Sequence, residues 1–118
     1  MPLGDVMGAV FFPDSESMVE ILEAGKVSRK IKARGGALMM VEVSFAAGGR
    51  GAEHAHPHEQ ATYCLSGRFK FTVEGDTKTL EPGDTVYVPS GARHGTVCEV
   101  AGALLDVFTP QREDFLKG

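Results

Sequence analysis

The apolar and polar positions of this chain alternate in short runs and never settle into a long helical period. Residues 37–45 are apolar, with Val41, Val43 and Phe45 sharing one parity, as expected of a half-buried strand. Further β-like runs follow at 61–66, 68–74, 77–81, 85–88, 95–100 and 103–108. Gly75-Asp76 reads as a two-residue hairpin turn, and Glu81-Pro82-Gly83-Asp84 as a second turn. Residues 1–36 are more broken. They read as an N-terminal arm in which Ser15 or Ser17 caps a short helical turn running to Leu22, followed by an exposed edge strand at 27–33, where basic and apolar residues alternate. Residues 113–117 fit one helical turn. Short strands at regular spacing predict an all-β sandwich or barrel.

With 118 residues, the chain is one domain's worth, because two domains would leave neither with an adequate core. The expected division is an arm and edge strand at 1–36 and a β-barrel domain at 37–118. A net charge of −4 offers no basic field for a phosphate backbone, so nucleic acid is not an expected partner. No apolar run approaches the roughly 20 residues of a membrane span, and no basic segment precedes the weak N-terminal apolar run. A cytoplasmic location is expected. Cys64 and Cys98 are too few for a disulfide framework and read as small core residues, with a thiol ligand as the alternative.

Three of the four histidines lie in Glu53-His54-Ala55-His56-Pro57-His58-Glu59-Gln60, after the glycine-rich stretch Gly48-Gly49-Arg50-Gly51. Residues two apart on a strand share a face, so His54 and His56 can aim two imidazoles at one ion. A solvated loop is the competing reading. A second signal is Asp106 inside the apolar run Ala103-Leu104-Leu105-Asp106-Val107-Phe108. A carboxylate there needs either a structural partner, such as Arg112 or Arg68, or a role in proton transfer.

The spacing carries more. From Gly48 the pattern is five residues, His54, one, His56, three, Gln60, six, Gly67; from Gly83 it is five residues, Pro89, one, Gly91, two, His94, three, Cys98. This resembles the two motifs of the cupin family, in order and register. The resemblance implies a single-domain cupin, a double-stranded β-helix or jelly-roll barrel, holding a divalent metal (Zn, Ni, Mn, Fe or Co). It implies His54, His56 and His94 as imidazole ligands and Gln60 as the fourth. Gln60 stands where Glu is usual, and Cys98 where Asn is usual. A neutral ligand set leaves the full charge on the ion, which favours a Lewis acid attracting an anionic substrate over iron oxygenase chemistry.

The stretch His56-Pro57-His58-Glu59-Gln60, with Leu104 to Phe108 and Thr109-Pro110-Gln111-Arg112, is similar to the KdgF-type pectin-degradation cupins. That similarity implies an enzyme that linearises 4,5-unsaturated monouronates, from pectin and alginate breakdown, to open-chain 4-deoxy-5-keto uronates. Asp106 is then the expected general acid/base, Arg112 a bidentate clamp on the substrate carboxylate, and Phe108 an apolar wall. His58 is left beside the ligands or at the surface. The alternatives are another metal-dependent cupin enzyme, a dioxygenase or sugar isomerase, or a non-catalytic sugar sensor. The apolar arm and open strand edges predict a homodimer.

Overall fold

The computed structural model describes residues 8–116; residues 1–7 of the expected arm and Lys117 of the expected terminal turn lie outside it. The molecule is all-β. Its strands are β1 (Glu20–Leu22), β2 (Val27–Gly35), β3 (Leu38–Phe45), β4 (Arg50–His54), β5 (Glu59–Val73), β6 (Asp76–Leu80), β7 (Thr85–Val88) and β8 (His94–Thr109). Among the described residues no helix is long and apolar enough to cross a membrane.

Two long strands organise the rest. The first half of β5 pairs with β7 and with the second half of β8, which continues through β3 to β2 and β1. The second half of β5 pairs with β6 and with the first half of β8, which also pairs with β4. All pairings are antiparallel, and the two halves form the two layers of a jelly roll. The sequence reading cut each of these strands in two, taking Gly67 and Gly102 as breaks. They are bends. A Cβ on Gly67 would lie 2.4 Å from the Val100 carbonyl oxygen, and one on Gly102 would lie 2.1 Å from that of Ser66. The crossing of β5 over β8 therefore excludes any side chain at either point, and the ladder shifts register there without ending.

Three local expectations are corrected. The exposed edge strand expected at 27–33 is β2, an inner strand paired on both sides, with β1 and β3, and mostly half-buried. The only helical turn near Ser15 and Ser17 is a 3-10 turn at Asp14–Glu16 with Pro13 at its N-cap and no side-chain cap, and Glu20–Leu22 is strand. Leu22 is half-buried against the core, so its packing on β2 outweighs any capping preference. The hairpin turn is Glu74-Gly75, at φ 47° and 80°, because Val73 pairs with Asp76. Glu113–Leu116 forms the expected final turn, as a 3-10 helix.

The interior follows from the alternation. Met39, Val41 and Phe45 on β3 are buried, as are Phe69 and Phe71 on β5 and Leu104 and Phe108 on β8. Phe45 and Phe69 meet edge to face at 5.1 Å between centroids. Cys64 and Cys98 are free thiols in this core. Burial pushes both above the usual thiol range.

Candidate metal centre and active-site cavity

β4 and β8 place His54 opposite His94. The extended segment after β4 brings in His56, and the start of β5 supplies Gln60. His54, His56 and His94 offer ligand nitrogens that all lie within 4.8 Å of one another. Their rings are oriented by the main chain: Nδ1 of His54 meets the Ala52 carbonyl at 2.7 Å, that of His56 the His58 carbonyl at 3.1 Å, and that of His94 the Ala92 carbonyl at 3.0 Å. A carbonyl only accepts. Each Nδ1 therefore carries the hydrogen, and each Nε2 keeps its lone pair for the site. Burial is the main reason that His56 is lowered to about 4, and it lowers His94 as well, so both stay neutral at pH 7.

Gln60 is held by a chain of donors. Its amide nitrogen donates to Thr62 Oγ1 at 2.9 Å and lies 3.4 Å from Asp106 Oδ1, while the Thr62 hydroxyl donates to the same Oδ1 at 2.6 Å. This turns Gln60 Oε1 toward His56 Nε2 at 3.1 Å. Two acceptors then face each other, an arrangement that calls for a cation between them. Three imidazole lone pairs and one amide oxygen, all neutral and braced from behind, fit a divalent metal ion. Neither cysteine belongs to the cluster among the described residues. His58 Nε2 meets the Gln111 carbonyl at 3.2 Å, and its Nδ1 is buried without a partner.

His54, Gln60, His94, Asp106, Phe108 and Arg112 line one cavity of about 250 Å³. His56 adjoins it, its ring 5.8 Å from that of Phe108. Burial pushes Asp106 up to about 6, with the Thr62 hydroxyl and the Arg112 charge pulling the other way. Neither arginine weighed as its structural partner bonds to it: Arg68 pairs with Glu99, and Arg112 with Asp114. The expected fork on Arg112 is partly used, since Nε and Nη2 engage the two Asp114 oxygens at 3.1 and 2.9 Å. Both Nη1 hydrogens and the second one on Nη2 remain for a ligand.

The sequence reading missed Thr62, Arg29 and Phe115. Thr62 shares the parity of Gln60 and stands opposite Asp106 in the ladder, a signal available from strand spacing. Arg29 and Phe115 line the cavity from β2 and the C-terminal turn, which no local pattern relates.

The cupin domain family model matches residues 41–108, more than half of the chain. The chain belongs to the cupin family. This cupin is 39% identical over 108 residues to the pectin degradation protein KdgF of Dickeya dadantii (strain 3937), covering 90% of this chain and 97% of that protein. The structure of KdgF from Halomonas sp. matches with a TM-score of 0.85 at 34% identity, over 92% of this chain and 99% of that one. An RmlC-like cupin from Shewanella frigidimarina NCIMB 400 also matches with a TM-score of 0.85, at 36% identity, over 92% of this chain and 96% of that one.

Proposed function

We propose that this cupin is a metal-dependent enzyme of pectin and alginate breakdown that linearises 4,5-unsaturated monouronates to open-chain 4-deoxy-5-keto uronates. The similarity to KdgF proteins supports the pathway. The observation that carries the reaction is Asp106, the one carboxylate lining the cavity among the described residues, braced beside the candidate metal ligands and facing arginine side chains. At about 250 Å³ the cavity is smaller than the roughly 300–1,000 Å³ typical of drug-sized ligands, which favours a monosaccharide over a polymer.

The chemistry needs one group that takes a proton and returns it. The substrate is a cyclic hemiacetal whose ring oxygen is bonded to C5 of a C4–C5 double bond. Asp106 accepts the anomeric hydroxyl proton, the C1 carbonyl forms, and the C1 to ring-oxygen bond breaks to leave an enolate. The protonated Asp106 then delivers that proton to C4, giving the C5 ketone. Thr62 fixes Asp106 Oδ1 throughout, so the carboxyl does not rotate away between the two transfers. The Nη1 side of Arg112 meets the substrate carboxylate, and Phe108 walls the sugar ring. His54, His56, His94 and Gln60 would hold a divalent ion, which would supply Lewis-acid stabilisation of negative charge on the substrate.

A proton NMR time course of unsaturated galacturonate tests this reading. Metal-loaded protein is expected to remove the vinylic C4 signal well ahead of the spontaneous background, and chelator-treated protein to leave the background rate. Decay at background rate with metal bound would overturn it.

A further inference from the structure

We propose that Arg29, on the inner face of β2, is a second carboxylate-binding residue that works with Arg112 on the anionic sugar; this rests on the reading above. The neighbours that share its parity are Val27 and Ile31, and both pack into the core. In the ladder Arg29 stands opposite Val43, which lies opposite Leu104 on β8, two rungs from the Val41–Asp106 pair and on the same face. A charge is thus placed on an inward row of apolar residues, as Asp106 is on β8. The alternation at 27–33 read as an exposed strand, yet its Arg29 lines the same cavity as His94 and Asp106.

An inward guanidinium needs partners, and Arg29 uses only part of itself on them. Nε donates to Glu20 Oε1 at 2.9 Å, and Cζ lies 3.7 Å from the Phe115 ring centroid. Among the described residues neither Nη group makes a hydrogen bond. Arg112 Cζ lies 4.2 Å from the same centroid. Both guanidinium groups therefore pack on the one Phe115 ring, whose π cloud helps to hold them. Arg112 keeps Nη1 free, and Arg29 keeps both Nη groups. Beside Phe115 a carboxylate can take a donor from each arginine, one oxygen to each arm. Among the described residues that line the cavity, the charged side chains besides Asp106 are Arg29, Arg50 and Arg112, which suits an anionic ligand.

The competing reading is that Arg29 only ties β1 to the C-terminal turn, through Glu20 and Phe115. Calorimetric titration of metal-loaded protein with D-galacturonate, which has no double bond to react, and with neutral D-galactose separates the two. Arg29→Gln is expected to weaken galacturonate binding about tenfold, the loss of one charge-assisted contact, with galactose binding unaltered. With unsaturated galacturonate, KM should rise by a similar factor and kcat should move much less. Glu20→Ala severs the same tie and leaves the cation in place, so it should stay within about twofold of wild type. Equal losses in the two variants, no loss in Arg29→Gln, or a wild type that binds galacturonate no better than galactose would each overturn the assignment. A wild type that binds galacturonate but consumes no unsaturated uronate would end the linearising reading and leave Arg29 supported as an anion site.

Discussion

The barrel interior has two ends, both built from β5 and β8: one beside the bend at Gly67 and Gly102, the other away from it. Beside the bend the inward residues are Cys64, Phe69, Cys98 and Leu104, none more than 2% exposed. Toward the open end the same alternation carries Gln60, Thr62, His94, Thr96 and Asp106. The change takes two residues along each strand: Cys64 pairs with Leu104, and at the next inward pair Thr62 stands opposite Asp106. Backbone hydrogen bonding, parity and strand direction are the same on both rungs. Only side-chain chemistry differs, so the strand pair is a frame that holds either a dry core or a polar site. The closed end gains from volume and burial. At the open end each polar group must find a partner, and the Gln60–Thr62–Asp106 chain provides them.

The largest effect should come from removing the open end's acid. Asp106→Asn keeps the volume and the hydrogen bond from Thr62 but cannot carry the proton. Turnover of unsaturated uronate should fall by about 10²–10⁴-fold, typical of a general acid/base, while metal content by elemental analysis stays at wild-type level. Full activity would mean that the polar rung is structural, like its neighbour. At the bend, Gly102→Ala would drive a Cβ into the Ser66 carbonyl. Urea denaturation should show a loss of about 3 kcal/mol or more, or no folded protein. A neutral result would mean that no steric constraint at the crossing shapes the closed end.

Thr62→Val turns the polar rung toward the closed-end kind without changing side-chain shape. Asp106 loses its closest donor, and the Gln60 amide loses the acceptor that orients it. A fall of about tenfold in kcat is expected from the lost contact, together with weaker metal retention against a chelator. Thr62→Ser should restore both. If Val and Ser variants behave alike, the hydroxyl is not what holds the acid.

How much of this was legible along the chain differs between the two ends. The closed end follows from alternation: Val41, Phe45 and Leu104 fall inward as a period of two requires. The convergence of His54, His56 and His94 was readable because motif spacing fixes strand ends as well as residue types. Asp106 stood out as an acid in an apolar run. What escaped depends on partners far away in sequence. Gly67 and Gly102 read as turns because their need for glycine comes from the crossing strand and not from their own neighbours. Thr62 drew no attention because a threonine suits any strand; its meaning comes from the residue across the ladder. Arg29 merged into a basic alternation, and Phe115 lies 86 positions later. Ser15 and Ser17 gave a capping signal that packing of Leu22 overrode.

The subtlest effect, and the one that tests dryness at the open end directly, is the pH dependence of stability in metal-free protein. Asp106 is raised from 3.8 to about 6 by burial, so the folded state binds its proton more tightly than the unfolded state. Its contribution to stability is fully present below pH 3.8 and is lost as pH rises through about 6. His56 runs the opposite way. Lowered from 6.5 to about 4, it lets the unfolded chain bind the extra proton, so stability rises with pH across that interval, and the lowered His94 adds to the same trend. The wild-type curve is therefore a partial cancellation, shallower than either contribution alone. Asp106→Asn removes one side of it and leaves the histidines. Between pH 4 and pH 6.5 the variant should gain stability more steeply than wild type, the gap changing by on the order of 2 kcal/mol in chelator-treated samples. A gap that does not change with pH would show Asp106 titrating as it does in water, and the open end would then differ from the closed end in solvation as well as in side chains.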